Sequence, residues 1–529
     1  MTAFLKTTPL LLTLCPFAAA QDGEQMLVGG DILAGDGFGN AVALDDDLLV
    51  VGAPDHDGAG LDAGAAYVFR RAGTVWLEEQ KLTDPELDVG DSFGVSVAVD
   101  GDRVVVGASL DEDADGEISG AVYVFEKVGL NWTRTARLEE QTLGSGAEYG
   151  FSVDLEGDRL VVGAHEASGG GAAYVYELDL GIWDRTLTLQ SGDGGVTDDF
   201  GYSVALSDDW VLAGSPYHDN LGGNAGAAYV FDSMGILAAR LEPSGPSPAG
   251  AEFGYSVALD GDLAVVGAGS ENTDAGSDAG AAYVFRAVGD VWSEEARVEA
   301  PATESGVTSD LLGRSVDVSG ERVVVGAQRA DGDAGRAYLY VPAAGSWRIA
   351  SVFTASDVNS SDRFGWAVGI DGDSVVAGID GADDAGSNAG RVSHFDLDAG
   401  LLGGIVPLDL FQGGTQYLTV ESGSAAAGDL YAVVGSLSGT TPGFAVHGVT
   451  IPVNPDDYFF LTVTAPNVAP LANSFGGLDA NGRGFAQIDV PAGTDPSLVG
   501  QTVHHTAVTI QIAPIQVTAA SRPLPTTFE

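Results

Sequence analysis

A pair made of an aromatic or leucine residue and a glycine recurs along the chain at Phe38-Gly39, Phe93-Gly94, Tyr149-Gly150, Phe200-Gly201, Phe253-Gly254, Leu312-Gly313 and Phe364-Gly365. A second glycine follows the first residue of every pair by 14 positions, at Gly52, Gly107, Gly163, Gly214, Gly267, Gly326 and Gly378. The copies are spaced 51 to 59 residues apart, a period that belongs to solenoids and propellers, where one supersecondary unit is repeated and stacked.

Each copy reads as four strands. After Phe93-Gly94, Val95, Val97 and Val99 alternate with Ser96 and Ala98, the period of two that marks a strand. Asp100-Gly101-Asp102 supplies the left-handed residue of a tight hairpin. "RVVVGA" is a second, wholly apolar strand, "GAVYVF" from Gly120 a third, and "WTRTARLEE" from Trp132 a fourth. The third strand returns from Gly64, Gly171, Gly226, Gly280 and Gly335, and the tryptophan start at Trp76, Trp183, Trp292 and Trp347. The spacing therefore predicts an all-β chain with a seven-bladed β-propeller of four-stranded blades over residues 21–400. The seventh copy stops after its third strand, "GRVSHFD", whereas "EQMLVGG" near the N-terminus matches the end of a fourth strand. A strand near Met26 to Val28 is thus expected to complete the last blade and to remove a free edge.

The pattern complete at Phe38-Gly39 … Gly52-Ala53-Pro54 resembles the FG-GAP repeat, a family that includes the head propeller of integrin α subunits and many secreted bacterial proteins. The resemblance covers roughly residues 25–398. Integrin-type repeats often carry a calcium loop between the two halves of the motif. Here that place holds only short turns such as "VDGDR" and "LEGDR", so those calcium sites do not carry over. The resemblance implies a binding or adhesion role on the face bearing the loops between second and third strands.

Residues 401–529 lack the repeat. Runs such as "QYLTVES", "LYAVVGSL", "YFFLTVTA", "GFAQIDV" and "AVTIQIAPIQV", broken by Gly, Pro, Asn and Asp, predict a C-terminal β-sandwich-like domain. His504 and His505 are neighbours on one of these runs, so they point to opposite faces and do not share an ion; a surface or half-buried position is expected.

Asp and Glu outnumber Lys and Arg by 76 to 22, a formal charge of −54, which argues against nucleic acid and anionic membranes as partners. No segment is apolar for long enough to span a bilayer. Residues 1–20 read as a secretory signal peptide: one lysine, a short apolar run and Ala18-Ala19-Ala20. The only cysteine, Cys15, lies inside it, so disulfides and thiol chemistry are not expected in the secreted, extracellular chain.

Acidic segments such as "PDHDGAGLDAG" and "LDEDADGEISG" fall in the loops between second and third strands. In a propeller these share one face with the connections from fourth to first strand, so that face is expected to be strongly negative. Asp111, Asp113 and Asp115 with Gly116 match the first half of a calcium loop, where alternate carboxylates converge on a hard cation. The glutamate of the twelfth position is replaced by Val122, which leaves Ca2+ binding and a solvated acidic loop both open. His56, His165 and His218 occur in three such loops and are expected to be solvent-exposed. No other cofactor and no catalytic residues are expected. The reading is a secreted, monomeric, non-enzymatic propeller that binds an extracellular protein or glycan. Its alternatives are a polysaccharide-acting enzyme with a site in the propeller axis, and a structural cell-surface or matrix component.

Overall fold

A computed structural model describes residues 24–112, 116–140, 143–207, 209–219, 221–245, 249–274, 276–300, 309–343 and 346–397, and the backbone of eleven strands between 401 and 527. The expected signal peptide, residues 1–20, lies outside the described residues.

Seven antiparallel four-stranded sheets are formed in chain order. In the second blade the strands are Phe93–Asp100, Arg103–Ala108, Ala121–Val128 and Asn131–Leu138. The second strand of every blade is buried almost throughout because it is covered on both faces, which explains its unbroken run of apolar residues. Fourth strands alternate exposed and covered residues, as outer strands should. The first strands of neighbouring blades pack side by side in a ring, from Val42–Asp45 round to Val368–Asp371 and back.

The last blade closes as the sequence predicts. Gln25–Leu27 pairs antiparallel with Arg391–Asp396, Met26 opposite Ser393. The seam repeats a contact found elsewhere in the ring. The Gln25 amide donates to the Trp76 carbonyl and accepts from the Trp76 N–H, both at 3.1 Å. Gln80 does the same with Trp132 at 2.9 and 2.8 Å.

Side chains also tie the blades together at the axis. The innermost strand of each sheet has an unpaired edge, and the preceding blade supplies acceptors for its N–H groups. Ser152, Ser203 and Ser315 accept from Val204, Val257 and Val368 at 2.9 to 3.0 Å. Asp45 accepts from Gly101 at 2.6 Å, and Asp371 accepts from Asp46 at 2.7 Å across the ring's closing seam. In the sequence, Val, Ser and Ala dominate the inner strands. Nothing in that pattern marks Asp154 and Asp317, which are half-buried against the next blade and accept from Leu206 and Ile370.

Beyond residue 400 the described strands form two antiparallel sheets and a hairpin: Leu401–Gly403, Gly414–Glu421, Arg483–Val490 and Leu471–Ala472 in one sheet, and five strands around Leu430–Ser436 and Thr502–Ile512 in the other. Four of the five predicted runs are found; "YFFLTVTA", residues 458–465, lies outside the described residues. His505 is buried, where a surface or half-buried position was expected; its strand is central, paired with Leu430–Ser436 on one edge and Leu524–Thr527 on the other, so the side chain lies on an interior stretch of the sheet. Among the described residues no helix is long and apolar enough to cross a membrane.

Candidate functional site

The loops between second and third strands lie beside the connections from fourth to first strand, as expected. Leu110 N–H donates to the Asp91 carbonyl and Gly90 N–H to the Leu61 carbonyl. On this face each Phe-Gly pair sits in a four-residue turn. The residue after the glycine donates its N–H to the carbonyl of the residue before the aromatic: Phe151 to Glu148, Tyr202 to Asp199 and Tyr255 to Glu252, each at 3.1 Å. The glycine takes the third position with φ between 82 and 98°, the backbone that a type II turn requires there. The aromatic ring points into its own blade, Phe93 against Tyr123 at 5.3 Å and Phe125 at 6.1 Å.

The turn therefore presents its first and last residues at the mouth of the axis. The last residues, in blade order, are Asn40, Val95, Phe151, Tyr202, Tyr255, Arg314 and Trp366, all half-buried. From the third blade to the sixth they touch in a continuous arc. Phe151 lies 4.9 Å from Tyr202, Tyr202 lies 4.8 Å from Tyr255, and the Arg314 guanidinium stacks 4.0 Å over Tyr255. The first residues of the same turns are Glu148, Asp199 and Glu252, in left-handed conformations with φ of 55 to 56°. Such a backbone costs a non-glycine residue of order 1 kcal/mol, and the first blade avoids it with Gly37. Glu252 holds Arg314 at 2.8 Å. Burial, then the Glu166 charge, raises the pKa of Glu148. Burial and the neighbouring Glu166, Asp198 and Glu148 push Asp199 up to about 6.

His165 packs on this arc, 4.4 Å from Phe151 and 5.0 Å from Tyr202. It is not the solvent-exposed residue that the sequence suggested; only 6% of it is accessible, and burial drives its pKa down to about 4, so it is neutral. His56 and His218 are buried too, at 5% and 2% exposure. They fold under their loops, where the carbonyls of His56 and His218 accept the N–H of Gly64 and Gly226. The expectation failed because a fourth-to-first connection covers each of them: His56 meets Asp36 and His218 meets Asp198, both at less than 4 Å. The three histidines serve three separate blades.

Asp111 occupies the same loop position as His56 and His218. Its carbonyl accepts from Gly120, and its carboxylate turns inward. Oδ2 accepts from the Tyr123 hydroxyl at 2.6 Å and Oδ1 from Arg137 at 2.8 Å. Burial raises its pKa, offset by Tyr123 and Arg137. Glu271 repeats the arrangement with Tyr283 and Arg297. Asp111 is thus a strut of its loop. Asp113 and Asp115 lie outside the described residues.

A cavity of about 450 Å³ runs along the axis, lined by the first strands of all seven blades. Its walls are Val, Ala, Leu and Ile with a scatter of carboxylates, among them Asp154 and Asp317.

The FG-GAP repeat family model matches the chain seven times, at residues 22–69, 76–125, 132–176, 183–231, 238–285, 292–340 and 347–395. Each match starts in the outer strand of one blade and ends in the third strand of the next, an offset of one strand that requires the closing strand at Gln25–Leu27. No curated protein matches the chain.

Proposed function

The chain belongs to the FG-GAP repeat family, and from that premise we propose that it is an extracellular, non-enzymatic binding propeller whose ligand sits on the arc Phe151–Tyr202–Tyr255–Arg314. The observation that carries this reading is the arc itself. Asn40 and Val95 close the same turn in the first two blades, so the fold has no need of large rings at this position. Half-buried aromatic faces offer flat, apolar contact area, and Glu148 and Asp199 beside them accept hydrogen bonds. That combination suits a carbohydrate, whose ring stacks while its hydroxyls donate. It also suits a basic side chain of a protein partner, and Arg314 over Tyr255 is an internal example of a guanidinium so held.

The test is a glycan array together with a pull-down from extracellular material, run with wild type and with Tyr202→Ala/Tyr255→Ala. Binding is expected to be lost in the double variant while its circular dichroism stays that of the wild type. Retained binding would move the ligand off the arc.

An enzyme working in the axial cavity is the second reading, favoured by Asp154 and Asp317 there. Each of them, however, accepts two backbone N–H groups, which gives it a structural task.

A further inference from the structure

We propose that His165, Glu166 and Asp199 bind one divalent transition-metal ion of the zinc class at the edge of the aromatic arc. One ring nitrogen of His165, one oxygen of Glu166 and one of Asp199 lie within 4.8 Å of one another. With metal–ligand bonds of about 2.1 Å, ligand atoms on one ion stand at most about 4.2 Å apart, so the three groups draw together slightly on binding, and Glu166 is exposed and able to move.

Three further observations point the same way. His165 is more than nine-tenths buried, and its Nδ1 has no hydrogen-bond partner. A buried polar atom left so costs about 1–3 kcal/mol, a cost that an ion held on Nδ1 removes. Glu148 stands at the other ring nitrogen, 3.7 Å from Nε2 of His165, and together with Glu166 it acts on Asp199 as a neighbouring negative charge; a dication relieves that repulsion. Finally, two of the ligands are fixed in advance. The backbone of Asp199 is set by its turn, and the His165 ring is held between Phe151 and Tyr202.

The mixed nitrogen and oxygen set selects the ion. Calcium and magnesium take oxygen ligands, whereas imidazole with carboxylates suits zinc, manganese, iron or nickel.

The experiment is calorimetric titration of the protein with Zn2+ in excess Ca2+, which occupies acidic loops that bind through oxygen alone. A single zinc site is expected, weakened at least about tenfold in Glu166→Gln and in Asp199→Asn. Because His165 is buried, Glu166→Gln is the primary variant, and its metal-free melting temperature must equal that of the wild type. Loading with Cu2+ gives a second readout: the paramagnetic resonance spectrum should show coupling to one nitrogen, absent in His165→Gln. No zinc heat above the calcium background, unchanged zinc affinity in Glu166→Gln, or a spectrum with oxygen ligands only would each overturn the assignment.

Discussion

Gly107 lies directly against the carbonyl oxygen of Gly150 in the next blade: a Cβ added to Gly107 would stand 1.9 Å from that oxygen. The same contact recurs round the ring at distances of 1.9 to 2.2 Å, from Gly52 with Gly94 to Gly378 with Gly39. The glycine after each aromatic therefore meets the second repeated glycine of the preceding blade, and the two are the halves of one blade-to-blade joint.

Gly107→Ala tests that joint. The obstacle is backbone, so it is relieved only by separating the blades, and a cost of about 2–4 kcal/mol follows. Gly144→Ala, where nothing lies within 4 Å of the added carbon, should stay within about 0.5 kcal/mol of wild type. Chemical denaturation of both variants decides. Equal, small effects would show that the blades part freely.

The features that the sequence announced share one property: each is a constraint on a single residue type. Only glycine fits the joint at Gly107 or the third position of the turn at Gly94, so both recur and both can be counted. The closing strand was readable because Gln25 repeats the role of Gln80. What stayed hidden depends on contacts between blades. The burial of His56 and His218 is decided by a neighbouring connection, and no local pattern records it. Asp154 and Asp317 look like two more polar residues in a chain full of them, because the N–H groups that tie them to the next blade, those of Leu206 and Ile370, are some 50 residues away. The arc did leave a signal. The position after each Phe-Gly pair reads Asn, Val, Phe, Tyr, Tyr, Arg, Trp, and large residues at a place where Val suffices point to a surface role.

Removing residues 24–28 should open the ring. The edge of Arg391–Asp396 then loses its partner, and Trp76 loses both hydrogen bonds to Gln25. A melting temperature lower by several degrees and growth of aggregates in light scattering are expected, since an unpaired edge invites pairing between molecules. An unchanged melting curve would remove the closing strand from the account of stability. Gln25→Ala, which keeps the strand, should have the smaller effect.

Asp111→Ala should destabilise the protein by about 2–4 kcal/mol in metal-free buffer, because it deprives Tyr123 and the half-buried Arg137 of their shared acceptor. The loss should be the same with calcium present. A loss seen only in calcium would make Asp111 a calcium ligand that leaves its two partners on binding. Asp113→Ala separates the cases further: it touches stability only if calcium raises the melting temperature more than sodium chloride of equal ionic strength does.

Asp317 and Asp154 give the protein a pH dependence of unusual sign. Asp317 accepts from Ile370 and Val318 at 2.7 and 2.9 Å, and Asp154 accepts from Leu206 and Leu155 at the same distances. Those bonds favour the charged form, but burial outweighs them and pushes Asp317 up to about 7 and Asp154 up to about 6. Both values exceed the ordinary carboxyl value of about 3.9 expected in the unfolded chain. Between pH 4 and 7 the folded state thus holds protons that the unfolded chain has released. Stability then falls as pH rises through that window, the reverse of an ion-paired carboxylate. Asp91, Asp199 and Asp380, each pushed up to about 6 by burial first, add to the fall, so the wild-type curve alone does not isolate the pair. The difference between wild type and Asp154→Asn/Asp317→Asn does. The double variant sets an amide NH2 against a backbone N–H in each site and should be less stable at pH 4. Its disadvantage should shrink toward pH 7, as the wild type loses stability on charging its two half-buried carboxyls. Denaturation at intervals across that range measures it; parallel curves would mean that both carboxylates are already ionised inside the fold at pH 4.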